Sequence, residues 1–230
     1  MGCRAVSNVV GALPEGPLQI VVTGRKGTGK SELSYRLWES WDGDRVVIDY
    51  TGDFYDRHEA QELAAGTRPY DPEAWDPYRR GEGEDRVSMR FLPDHADPDA
   101  VKTIDDVVGL AYDHKYTLLV VEEMGEVAPV HKTQPNMRRL LNMSRHSPMW
   151  TIFNGPRPQA VDPLVLANAD VVYVFDLPQP RDRRRVADLI GWDPNDFDLA
   201  VAELPDHGFL QYVAKRHELL SFPPLELALV

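Results

Sequence analysis

The stretch Gly24-Arg25-Lys26-Gly27-Thr28-Gly29-Lys30-Ser31 constrains this chain more than any other. It satisfies every fixed position of the phosphate-binding loop pattern G-x-x-x-x-G-K-[ST]. The apolar run Leu18 to Thr23 before it reads as a buried strand, and Ser31 to Trp41 after it reads as a helix. Strand, glycine loop and helix in that order form a nucleotide site, because the glycines let successive N–H groups turn toward one anion and the helix adds its positive end. The expected nucleotide contacts are Gly24, Arg25, Lys26, Gly27, Thr28, Gly29, Lys30 and Ser31. Lys30 is expected to reach the β- and γ-phosphates of ATP, and the Ser31 hydroxyl to ligate Mg²⁺.

Composition narrows the partners. The chain has 230 residues and a net charge of −12, so its overall field repels nucleic acid. Any contact with DNA has to come from a local basic patch. One cysteine, Cys3, excludes an intrachain disulfide. No apolar run reaches the length of a membrane span, the N-terminus shows no signal-peptide core, and the histidines and carboxylates show no metal-ligand spacing.

The order of elements predicts an α/β fold. Residues 1–16 read as a loose arm, and 17–230 as a single ATPase domain with a loop insertion near 54–85 and a C-terminal strand pair. In the helix after the loop, Leu33, Leu37 and Trp41 recur at i, i+4, i+8 and give one apolar face. Arg45 to Tyr50 reads as a strand, with Asp49 and Asp53 at its C-terminal end, where ligands of open α/β sheets sit. Both acids suit the nucleotide site or the capping of a turn. His58 to Ala65 reads as a short helix, and 66–85, rich in Pro, Gly and charge, as a long surface loop. A strand over 86–92 follows. Next comes a helix from Asp99 to His114 with Val101, Ile104, Val107, Val108 and Ala111 inward.

Thr117 to Val121 is apolar without alternation, as in a strand buried on both faces, and it ends in Glu122-Glu123. This is the form of a second nucleotide-binding motif, the Walker B strand. Glu122 is expected to hold Mg²⁺ through water, and Glu123 to orient and deprotonate the attacking water. A helix over 133–145 places Arg138, Asn142 and Arg145 on one polar face. Strands over 149–154 and 170–175 flank a short helix at 163–168. The run Arg181-Asp182-Arg183-Arg184-Arg185 opens a further helix. It reads either as a solvated helix start or as a contact for phosphate or a partner. A helix over 193–202 and a strand pair, 208–213 and 218–222, close the chain, and the apolar tail from Leu225 suits packing on this domain or a neighbour.

Together these motifs resemble the additional-strand, catalytic-glutamate class of P-loop ATPases with a RecA-like core and a mostly parallel central sheet flanked by helices. Val46 to Asp53 and the segment from Ser144-Arg145-His146 through Asn154, Arg157-Pro158 and Leu166 to Asp170 are similar to motifs of the HerA/FtsK superfamily of motors. The resemblance implies that Arg145 is an arginine finger inserted into a neighbouring subunit's site, with Arg138 and Arg139 as rivals. It also implies that Asn154 is the polar sensor of the γ-phosphate. Glu122 stands where that superfamily usually has Asp, and Asn154-Gly155-Pro156-Arg157-Pro158 carries one residue more than its Gln-Arg-Pro.

At this size, the chain looks most like the genome-packaging ATPases of tailless icosahedral viruses with an internal membrane. That likeness implies a hexameric homo-oligomer that translocates double-stranded DNA with ATP and Mg²⁺. Its partners would be capsid vertex or membrane proteins, and its place the virion or host cytoplasm. The alternatives are a HerA/FtsK-like motor of a mobile element, an ATPase that extrudes protein or filaments, a small-molecule kinase, and a nucleotide-gated module without catalysis.

Overall fold

In the computed structural model, the described residues are 13–56, 67–72, 87–143 and 148–225. They form one mixed sheet of nine strands in the order β3-β4-β2-β5-β6-β1-β7-β8-β9. The strands are β1 (Gln19–Thr23), β2 (Asp44–Ile48), β3 (Arg68–Pro69), β4 (Ser88–Phe91), β5 (Thr117–Val121), β6 (Trp150–Gly155), β7 (Val171–Val174), β8 (Phe209–Val213) and β9 (Glu218–Phe222). From β3 to β7 every pairing is parallel; β8 and β9 add antiparallel edges.

The central strands are apolar at consecutive positions because helices cover both faces. Val21, Leu119 and Val121 pack into one core, and Ile20, Val22, Leu118 and Val120 into the other. The second core receives helix α1 (Lys30–Glu39) through Leu33, Leu37 and Trp38, and the short α2 (Asp53–Asp56) through Phe54. The first core receives α3 (Ala100–His114), α4 (Met124–Val127), α5 (Pro135–Met143), α6 (Pro163–Ala167), α7 (Pro180–Ile190) and α8 (Pro194–Ala202).

The structure departs from the sequence reading in several places. Val101 was expected inward but is 54% exposed, because α3 turns Ile104, Val107, Val108, Ala111 and Tyr112 into the core instead. Within the expected 66–85 loop, Arg68 and Pro69 pair with Met89 and Arg90 as an edge strand too short to show a period. The end of the expected loose arm is anchored: Leu13 packs on the second core, and the Gly16 carbonyl accepts from Trp150 Nε1 at 2.7 Å. The expected helix at 58–65 lies outside the described residues.

The most consequential feature of the order is β6. It pairs with β1 on one side and β5 on the other, so a strand separates the glycine loop from the two glutamates. Residue 154 of that strand is thereby placed between them.

Candidate nucleotide site

The glycine loop leaves β1 at Thr23 and returns as α1 at Lys30. Gly24, Gly27 and Gly29 hold φ of 150°, 83° and 105°, values that L side chains rarely adopt. A Cβ on Gly24 would lie 2.6 Å from Phe175 Cβ, so the loop can cross the end of β7 only as glycine. The Arg25 amide donates to the Asp176 carbonyl at 2.8 Å and its guanidinium pairs with the Asp176 carboxylate at 2.7 Å. Thr28 Oγ1 and Lys30 Nζ both donate to the Arg25 carbonyl at 2.9 Å. Phe175 below and Arg25 at the side therefore fix the loop's shape.

The loop opens onto a cleft of about 470 Å³, within the usual range of small-molecule sites. Lys26, Gly27, Gly29, Lys30 and Ser31 line it, facing Glu122, Glu123, Asn154 and Asp53. Gly24, Arg25 and Thr28, also expected to touch the nucleotide, are not in that lining; their contacts described above shape the loop. Asp49 is absent from the lining. Its buried carboxylate accepts from the Phe54 amide at 3.2 Å and from Arg90 Nε at 2.9 Å, so it caps α2 and ties β2 to β4. Its charge still acts on the site by raising the proton affinity of Glu122.

Glu122 and Glu123 follow directly on β5, and the Glu122 amide continues the ladder to the Ile48 carbonyl at 3.0 Å. Glu123 leaves it in the left-handed region, φ 59°, and opens α4. That conformation is strained for a residue with a side chain, and such residues concentrate at functional sites. Asn154 Nδ2 donates to both Glu122 carboxylate oxygens, at 2.9 and 3.0 Å.

Burial pushes the Glu122 carboxyl up to about 7; the Asn154 hydrogen bond and Lys30 pull it down, while Asp49 and Glu123 add to the rise. Glu123, half-buried, is also raised, by burial first and by Glu126, against the pull of Lys30. One ammonium thus acts on both carboxylates, which is the electrostatic signature of a compact site.

The donor set fits Mg²⁺. Ser31 and Glu122 offer oxygen ligands in the same cleft, and Asn154 Oδ1 is buried with no partner among the described residues. Magnesium is held by one or two such groups plus phosphate oxygens, not by a protein cage. No group of three or more His, Cys, Asp or Glu side chains placed to hold a metal ion by themselves occurs among the described residues.

No family model matches the sequence. No curated protein matches it either. Solved structures do. The genome packaging NTPase B204 of Sulfolobus turreted icosahedral virus 2, in complex with ATP-gammaS, superposes with a TM-score of 0.69 at 17% identity, over 92% of this chain and 100% of that one. B204, the DNA-packaging ATPase of Sulfolobus turreted icosahedral virus, gives 0.69 at 16% identity over the same shares. The chain has the fold of these packaging NTPases. A conjugation coupling protein, TcpA of pCW3, is similar over 90% of this chain and 60% of its own, with a TM-score of 0.56 at 12% identity.

Within this P-loop NTPase fold, several lining residues escaped the sequence reading. His207, Pro224 and Leu225 approach from the C-terminal segment, beside Phe175. No local motif marks them; only the antiparallel return of β8 and β9 brings them to the cleft. Of the finger candidates, Arg145 lies outside the described residues. Arg138 and Arg139 are both exposed; Arg139 also pairs with Asp113 at 2.9 Å and sits 4.3 Å over the Tyr112 ring.

Proposed function

We propose that the chain hydrolyses ATP and, as a homo-oligomer, translocates double-stranded DNA, most specifically to package a viral genome. The observation that carries this reading is the convergence of Lys30, Glu122, Glu123 and Asn154 on one cleft, with β6 inserted between the strands that supply them. The likeness to B204, named as a genome-packaging NTPase, supplies the packaging part. A motor of a mobile element is the second reading, favoured by the likeness to TcpA.

In the proposed reaction, loop amides and Lys30 bind the phosphate chain, and α1 directs its positive end toward them. Mg²⁺, when bound, would neutralise charge on the β- and γ-phosphate oxygens. Ser31 and Glu122 would hold it, and Asn154 keeps the Glu122 carboxylate in place. Glu123, its proton affinity raised by burial, accepts a proton from the attacking water. Its left-handed backbone turns it off the β5 axis into the cleft. The arginine finger, Arg145 or one of its rivals Arg138 and Arg139, would come from a neighbouring subunit and stabilise charge on the transferring phosphoryl group.

The test is ATP-dependent displacement of a third strand from a duplex. Displacement that requires hydrolysis, and that vanishes in Glu123→Gln, supports the motor. Hydrolysis without displacement would reduce the chain to an ATPase of another kind.

A further inference from the structure

The dense basic run at Arg181–Arg185 finds its place in the fold. Two of its arginines are bound inward. Arg183 donates to the Leu177 carbonyl at 3.0 Å, and Arg185 donates to the Pro158 and Val161 carbonyls at 3.3 and 3.2 Å. Its one carboxylate, Asp182, is buried and accepts from the Gln159 amide at 3.3 Å. Arg181 and Arg184 remain exposed, without a carboxylate partner among the described residues.

The same bonds draw two other segments to the start of α7. Gln159 Nε2 donates to the Arg181 carbonyl at 2.8 Å, which fixes the loop carrying exposed Arg157. That loop in turn binds the one after α4: Val130 donates to the Ala160 carbonyl at 3.2 Å, Asp162 donates to the Ala128 carbonyl at 2.9 Å, and Pro129 bridges Val161. The second loop exposes His131, at φ 62°, and Lys132. Lys132, Arg157, Arg181 and Arg184 are therefore gathered from three distant stretches onto one cross-tied edge. The acid exposed on the adjoining α4 is Glu126.

Two of the segments also lead straight back to the cleft. Arg157 lies three residues after Asn154, and Lys132 nine residues after Glu123, with Gly155 and Pro156 themselves in the lining. A displacement at either residue has a short, hydrogen-bonded route to this edge.

We infer that the edge formed by Lys132, Arg157, Arg181 and Arg184 is where the protein grips the phosphate backbone of duplex DNA. The inference rests on the motor reading above. In a chain of net charge −12, only such a patch lets a polyanion approach. Exposed guanidinium and ammonium groups bind phosphates in any sequence, as a translocating motor requires.

The experiment is a salt series of duplex binding by the full chain, with basal hydrolysis measured alongside. The variant is Lys132→Ala/Arg181→Ala/Arg184→Ala, and the control, Lys102→Ala/Lys115→Ala/Arg216→Ala, removes the same charge elsewhere. The edge variant should bind duplex about tenfold or more weakly, and its slope of log affinity against log salt should fall by about 0.9 per lost phosphate contact, roughly 2 to 3 in all. Basal hydrolysis and the control should stay at wild-type values. Equal losses in variant and control overturn the inference, because then only net charge matters. So does loss of assembly and basal hydrolysis in the edge variant, which would make the edge a subunit interface. A wild type that binds no duplex at any salt overturns the motor reading itself.

Discussion

Asn154 donates from a single amide nitrogen to both oxygens of Glu122, at 2.9 and 3.0 Å, across the gap between β6 and β5. The bond favours the ionised form of a carboxyl that burial pushes up to about 7. Removing it in Asn154→Ala should raise Glu122 further and keep it protonated at neutral pH. The acid limb of kcat/KM, which reports the free enzyme, should then move to higher pH, with a larger loss near pH 6 than near pH 8. A uniform loss at all pH values would assign Asn154 to the phosphate alone.

Glu122 also sets a stability prediction. Its folded value, about 7, lies above its ordinary 4.5. Below about 4.5 both states carry the proton and the group is neutral in its effect. As pH rises from there, the unfolded chain releases the proton first, so stability is lost until about pH 7 and stays lost above. The gap corresponds to at most about 3 kcal/mol. Glu122→Gln should therefore be more stable than wild type at pH 8 and nearly equal to it near pH 4. Thermal melts of the nucleotide-free protein across that range check it.

Lys30 and Glu123 should separate binding from turnover. Lys30→Ala removes the ammonium that serves both phosphates and carboxylates, and should weaken ATP binding as well as hydrolysis. Glu123→Gln keeps the side-chain shape but cannot take a proton, so ATP should bind while hydrolysis falls about 10²- to 10⁴-fold. Single-turnover hydrolysis beside nucleotide binding distinguishes the two.

Two of the three loop glycines should fail differently. A methyl on Gly24 meets Phe175 Cβ at 2.6 Å and its backbone at 3.1 Å, so Gly24→Ala should destabilise the fold by about 1–3 kcal/mol. A methyl on Gly27 meets nothing within 4 Å. Gly27→Ala is strained only by its φ of 83°, roughly 1 kcal/mol. Its main effect should be weaker ATP binding, because the loop must approach phosphate closely. Denaturant melts and nucleotide titration read the two effects separately.

Apolar runs and i, i+4 stripes were sufficient for the central buried strands and α1, and for α3 apart from Val101, because they report burial locally. The glycine loop and the Glu122-Glu123 pair were legible for the same reason: each is contiguous. Asp49 stayed open between ligand and cap. A carboxylate at a strand end looks the same whether it faces a ligand or an Arg90 that arrives from another strand. The pairing of Asn154 with Glu122 and the approach of His207, Pro224 and Leu225 depend on strand order, which no local pattern encodes. The basic run at 181–185 was visible, but which arginines face outward was decided by the carbonyls of Pro158, Val161 and Leu177.

The central claim is that this cleft drives a DNA motor. It is tested most directly by the ATPase rate with and without duplex DNA, with molecular mass measured in the same buffer. An oligomer whose hydrolysis rises with duplex is the predicted result. A monomer that hydrolyses ATP at the same rate whether or not DNA is present would contradict it.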